Sequence, residues 1–105
     1  MTKFLYVYHG GGKPASEEEG AKAMKAWMDW FGDLGPAVVE GGNPVGKSQT
    51  VVADGSVVDN GGANPTSGYS IIDARDAADA AEKAKGCPIL ASGGSIEIAP
   101  IMEIG

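Results

Sequence analysis

The chain reads as an α+β domain, an antiparallel sheet with both helices on one face, and three observations carry that reading. Strand-like and helix-like stretches follow one another as strand, helix, strand, strand, helix, strand. Both helical stretches open on a capping residue, Ser16 or Asp76, and close on a glycine with a proline just beyond it, at Gly35-Pro36 and Gly86-Cys87-Pro88. The length, 105 residues, is enough for one core and one domain. Two-layer packing resolves a βαββαβ order of this kind as a sheet with its helices gathered on a single side.

The first strand spans residues 3–9, with Phe4, Tyr6 and Tyr8 alternating against Leu5, Val7 and His9. Both faces are apolar. A two-layer domain covers one side of its sheet, so the second apolar face asks for another layer, most simply a second subunit. Ser16 and Glu19 then form a capping box, and Glu17, Glu18 and Glu19 complement the positive end of the helix dipole. Met24, Trp27, Phe31 and Leu34 make the helix's core stripe, opposite Glu18, Lys22, Lys25, Asp29 and Asp33. Trp30 lies at the stripe's edge, between core margin and the wall of a pocket or interface.

Residues 37–40 and 48–53 read as two strands joined by a glycine-rich link. Asp54-Gly55 is a tight-turn signal, with Val57-Val58 a short continuation. Residues 59–68 are polar and rich in Asn, Gly and Pro, a loop of the length that often serves function. Tyr69 to Ile72 form the next strand. Asp76 caps a second helix whose inner face is Ala77, Ala80, Ala81 and Ala84, with Gly86 placed for a left-handed C-terminal turn. The last strand spans residues 95–104, with Ile96, Ile98, Met102 and Ile104 on one face, and Pro100 marks a sheet edge or bulge.

Composition excludes several classes of partner. The net charge is −6 and the eight Lys and Arg residues are scattered, so no basic stripe is present to meet nucleic acid. A single cysteine, Cys87, forms no internal disulfide, and no Cys/His cluster has zinc spacing, so neither a metal nor another cofactor is expected and the expected compartment is the cytosol. No apolar run approaches the roughly 20 residues of a membrane span. The first residues lack the apolar core of a signal peptide.

Three features are candidates for chemistry. Gly41-Gly42-Asn43-Pro44-Val45-Gly46-Lys47-Ser48 has phosphate-loop spacing, but the β-branched residues after it read as a strand and supply no helix dipole. The stretch therefore reads as a glycine-rich hairpin, in which Asn43, Lys47 and Ser48 are still placed to hold an anionic or carbonyl-bearing small ligand. His9, the sole histidine, stands at a strand end opening into Gly10-Gly11-Gly12. It reads either as a ring bonded to backbone or as a general acid or base oriented by Asp54 or Asp59. Cys87 has no neighbouring base and reads as a packed side chain.

Ala53-Asp54-Gly55-Ser56-Val57, Gly68 to Ala74, the helix ending Ala84-Lys85-Gly86-Cys87-Pro88 and Gly94 to Ile101 together resemble the YCII-related family, including its DGPF-type members. The resemblance implies a ferredoxin-like domain that pairs as a dimeric α+β barrel. Some members are similar to dehalogenating or hydrolytic enzymes that act on small aromatic or muconate-like compounds through a histidine and an aspartate. Here Ser56-Val57 replaces the family's proline and phenylalanine, and the histidine closes the first strand instead of lying in the helix after it. Fold and homodimer carry over, and a reaction does not. Two functions are expected to compete. One is small-ligand binding or regulation by a homodimer. The other is cofactor-independent hydrolase, lyase or isomerase chemistry, with His9 moving a proton and Asn43, Lys47 or Asn60 stabilising charge.

Overall fold

A computed structural model describes residues 1–12 and 14–104. Its main sheet is built on β1 (Thr2–His9), which lies between β5 (Thr66–Ala74) and β6 (Ser95–Pro100), with β2 (Val38–Glu40) beyond β5. All neighbours are antiparallel, in the order β2-β5-β1-β6. The alternation along β1 is the one expected: Phe4, Tyr6 and Tyr8 are buried and Leu5 and Val7 half-buried. Helix α1 (Glu17–Leu34) and helix α2 (Ala77–Ala84) both cover the Phe4–Tyr6–Tyr8 face, through Trp30, Ala80 and Ala84. The face without helices carries Leu5 and Val7 directly opposite Ile71 and Tyr69 of β5, all four half-buried.

Local chemistry sets the helix ends. The Glu19 amide donates to Ser16 Oγ and the Ala15 amide to the Glu19 carboxylate, each at 3.1 Å, so the box satisfies two amide donors at the mouth of α1. Gly35 ends it at φ +56°. Asp76 caps α2 through the Asp79 amide at 2.8 Å. Trp30 is the one buried residue of α1, its indole donating to the Lys83 carbonyl at 3.0 Å, so the residue expected at the stripe's margin is core. Met24 at the other end of the stripe is 67 % exposed.

Several expectations are corrected. Of residues 48–53 only Thr50–Val51 is strand (β3), and it pairs with β4 (Val57–Val58) in a separate two-stranded sheet. The Asp54-Gly55 turn folds this segment back on itself, with the Val52 amide on Ser56 O at 2.9 Å, and β2 pairs instead with β5. The polar loop is shorter than expected, because Thr66 to Gly68 already belong to β5. The last strand stops at Pro100, opposite Phe4; one further amide, Ile101, reaches Lys3 O, and β1 then has almost no chain left to pair with. Met102 and Ile104 are exposed accordingly.

In α2 only Ala80 and Ala84 of the four alanines are buried. The helix meets the sheet along a narrow line, and the half-buried Asp79–Lys83 ion pair, at 2.9 Å, occupies its flank. Gly86 is not left-handed. What it answers is proximity, since a Cβ there would lie 3.2 Å from the Trp30 ring.

Candidate ligand-binding cavity

The helix-covered side of the sheet holds a cavity of about 450 Å³. One wall is α1, through Gly20, Met24, Trp27 and Phe31. The facing wall is the chain after β2, Gly41 to Pro44, with the start of β5, Ser67 to Tyr69; Tyr8, Pro14 and Ile89 complete the lining. The volume falls in the range of small-molecule sites, and the surface is dominated by aromatic and aliphatic groups with few polar ones, as such sites are.

Four glycines, Gly20, Gly41, Gly42 and Gly68, stand in its walls. Gly20 lies within α1, where glycine costs about 1 kcal/mol against alanine, and lines the cavity without a side chain. Gly42, at φ +71°, runs so close to β5 that a Cβ would lie 1.9 Å from Tyr69 O. That approach is stitched by the Val45 amide on Ser67 O at 3.0 Å and by a bridge between Pro44 and Gly68.

The aromatic walls are mutually fixed. Trp27 meets Tyr8 edge-on at 5.0 Å between ring centres and Trp30 at 5.8 Å. The Tyr8 hydroxyl donates to Ser70 Oγ at 2.7 Å, and Ser70 Oγ donates to Gly41 O at 2.6 Å, so a buried relay ties β1 through β5 to the cavity's glycine wall. Burial holds the Tyr8 phenol far above its ordinary range, outweighing the lowering effect of Ser70. Tyr8 is therefore a wall and an anchor, and no acid or base at neutral pH. A second, more open hollow of about 550 Å³ adjoins this one, sharing Pro14, Trp27, Ser67 and Ile89 and extending over Gly10 to Gly12 and Ser92.

His9 lies outside both hollows and is 7 % exposed. Nδ1 is 3.1 Å from Pro65 O and Nε2 is 3.0 Å from Glu97 Oε1. Two acceptors require two N–H donors, which is the imidazolium form. The Glu97 carboxylate, and after it the Pro65 carbonyl, raise the ring's pKa above its ordinary value. In the imidazolium form the ring keeps no lone pair for a general base.

This geometry has a pH signature. A folded-state pKa above the unfolded one stabilises fully below about 6.5, and the contribution is lost as pH rises through the raised value. Glu97 is 69 % exposed, so solvent screening holds the effect to at most about 1 kcal/mol. Melting temperature measured from pH 5.5 to 9 is expected to fall through the window above 6.5, and Glu97→Gln to flatten that fall. Identical profiles for the two proteins would remove the ion pair as its cause.

The carboxylates expected beside His9 are elsewhere. Asp54 sits in the hairpin turn, where its Oδ1 accepts from the Ser56 amide at 2.8 Å and the Ser56 hydroxyl at 2.6 Å, contacts that lower its pKa. Asp59 is paired with Lys47 at 3.0 Å, both exposed. Asn60 is turned inward on its own loop, accepting from the Gly62 amide at 2.9 Å, and Ser48 packs under Gly61. Asp54, Lys47, Ser48 and Asn60 thus belong to the β3–β4 hairpin and its base, and Trp30 to the core; Asn43 is the one expected ligand contact that lines the cavity. Cys87 is buried, and burial pushes its thiol up to about 11. Residues that sequence reasoning left out of the site are Trp27, Tyr8, Phe31 and Met24, read as core, and Ser67. The available signal was Gly20, a glycine one turn ahead of an aromatic helix stripe, facing the Gly41-Gly42 pair.

A family model, that of the YCII-related domain, matches residues 4–105. The chain belongs to this family. A search of the curated proteins gives no match. Among the described residues of this YCII-related domain, no helix is long and apolar enough to cross a membrane, and no three His, Cys, Asp or Glu side chains gather as a metal site.

Proposed function

We propose that this YCII-related domain binds a small, ring-bearing apolar molecule in the cavity between α1 and the Gly41–Pro44 segment, and that it works as a homodimer of ferredoxin-like subunits closed into an α+β barrel. One observation carries the binding reading: a hollow of about 450 Å³ walled by Trp27, Phe31, Tyr8 and Met24 and by Gly20, Gly41 and Gly42. The strand order β2-β5-β1-β6, with its helix crossovers, supports the ferredoxin-like arrangement. The half-buried row Leu5, Val7, Tyr69 and Ile71 supports a second copy on the open face. A cytosolic setting fits the single free, buried Cys87.

The test compares two glycines of α1. Gly20 lines the cavity and Gly32 has nothing within 4 Å of where its Cβ would be. Alanine at either position is expected to stabilise the helix by about 0.5–1 kcal/mol. Gly20→Leu, with its longer side chain, is expected to abolish calorimetric binding of naphthalene, and Gly32→Ala to leave it unchanged. Equal affinity in wild type and Gly20→Leu would move the ligand out of this cavity. Sedimentation of the same samples at micromolar concentration is expected at twice the chain mass, and a monomer would end the dimer part of the proposal.

A catalytic reading of His9 has one contact in its favour, the Glu97 carboxylate at 3.0 Å. Against it, the ring is outside the cavity and both of its nitrogens face acceptors. A cofactor-independent hydrolase, lyase or isomerase, dehalogenase-like or otherwise, would need the imidazolium as a general acid. That reading stands or falls on a rate loss in His9→Ala against small aromatic, enol and halogenated substrates.

A further inference from the structure

We infer that the β3–β4 hairpin is an arm that seats on a second copy of this chain, with the face carrying Val51 and Val57 as its contact surface. The inference rests on the homodimer reading and adds the segment through which each copy grips the other.

The hairpin stands apart from the body. β3 packs extensively against β4 and against no other element, and no hairpin residue belongs to the core or to the side chains packed on it. The radius of gyration is 15.0 Å, where a compact chain of this length gives about 13 Å. A two-stranded hairpin on its own is marginal in water, and this one is braced from within. Thr50 Oγ1 donates to Asn60 O at 2.6 Å, Lys47 meets Asp59 at 3.0 Å, and the Ser56 amide and hydroxyl close on Asp54 at the tip.

What the arm displays is apolar. A hairpin surrounded by water calls for polar residues on both faces. Here Val51 lies opposite Val57 and Thr50 opposite Val58, so one face carries Val51 and Val57 side by side, and the other Val52 and Val58. The first pair is 70 % and 58 % exposed, the second 39 % and 40 %. The Val51–Val57 face is therefore the one turned away from the rest of the chain. Charges on the arm are answered within it, Lys47 by Asp59 and Asp54 by Ser56, and a net charge of −6 opposes nucleic acid and anionic membranes alike.

Area points to a second copy. A standard interface takes about 800 Å² from each partner, and the four half-buried side chains of the open face, Leu5, Val7, Tyr69 and Ile71, present roughly a third of that. The arm's four valines offer roughly as much again. Under two-fold symmetry each copy gives one arm and receives one, so the arm enters twice and the sum reaches the standard size. The arm is also rooted beside that face. Its ends are pinned to β5 by the Val45–Ser67 hydrogen bond and the Pro44–Gly68 bridge, next to Tyr69 of the open face.

The experiment compares sedimentation across micromolar dilutions for wild type, the double variant Val51→Thr with Val57→Thr, and Met28→Gln. Threonine keeps the β-branched shape and strand preference while adding a hydroxyl to the contact face. The double variant is expected to dissociate about 100-fold more readily or worse, since each change counts once in every copy. Met28 is 67 % exposed on α1, on the helix side of the sheet, and Met28→Gln is expected to dimerise as wild type does. Far-ultraviolet circular dichroism of the double variant should match wild type, because neither valine touches the core. A mixed sample of isotope-labelled and unlabelled wild type gives a readout free of mutation, with contacts expected from the Val51 and Val57 methyls to the other copy. A double variant that dimerises within about tenfold of wild type, or a wild-type dimer without those methyl contacts, would overturn the arm and leave the homodimer standing. A monomeric wild type would overturn both.

Discussion

Trp30→Ala is expected to destabilise the domain by about 3–5 kcal/mol, which is a large part of the 5–15 kcal/mol typical of a folded protein. For a chain of this length that is a fall in melting temperature of about 14–23 °C. The reason is that Trp30 is the single residue of α1 driven fully into the core. Its ring contacts Tyr6 at 6.4 Å, Trp27 at 5.8 Å and Phe31 at 5.1 Å between centres, so its removal loosens the whole aromatic cluster. Its indole N–H also joins the helices by donating to Lys83 O, which would be left without that donor. Gly86 suits this ring, since a Cβ there would lie 3.2 Å from it, tighter than ordinary contact. Thermal and urea unfolding measure the effect, and a loss below about 1 kcal/mol would contradict the packing.

The second large effect is expected at Gly42. An alanine Cβ would lie 1.9 Å from Tyr69 O and 2.8 Å from the Tyr69 carbonyl carbon, and both are backbone atoms that no rotamer change moves. The left-handed conformation itself adds about 1 kcal/mol for a non-glycine residue. Relief of the clash means parting the Gly41–Val45 segment from β5, with loss of the Val45–Ser67 hydrogen bond and the Pro44–Gly68 bridge. A total of about 3 kcal/mol or more follows, together with loss of the cavity's outer wall. Gly41→Ala is the control. A Cβ there meets Phe31 at 3.9 Å, ordinary contact, and Gly41 has no positive φ, so the variant is expected within about 0.5 kcal/mol of wild type. If the two alanines behaved alike, the close approach at Gly42 would be refuted.

What was legible in the sequence is what neighbours along the chain decide. The caps at Ser16 and Asp76, the end of α1 at Gly35, the turn at Asp54-Gly55 and the two faces of β1 are all contained in windows of a few residues. Their geometry follows from local hydrogen bonding and from the period of the backbone. What escaped depends on register between distant segments. Glu97 reaches His9 because β6 lies beside β1 with Val7 opposite Glu97, a pairing across about ninety residues that no periodicity encodes. Asp54 and Asp59, nearer in sequence, are carried off by a hairpin that closes on itself. Ser67 escaped for a related reason, because a bulge is a one-residue mismatch between two strands and is visible in neither alone. The spacing of Trp27 assigns it to the core, and it does pack there. The same ring also lines the cavity, a second role that helical spacing does not distinguish from core packing.

The flanks of the main sheet bear on how copies of this molecule meet. On one side stands β2, only three residues long; on the other β6, which carries the charged Glu97 and finishes on Pro100, a residue with no amide proton to offer a neighbour. Neither flank is a template for lateral growth into ribbons or fibres. What the sheet leaves for the proposed second copy is the broad surface of Leu5, Val7, Tyr69 and Ile71, and in such a homodimer one copy's patch would use up the other's, so that assembly would halt at a closed pair.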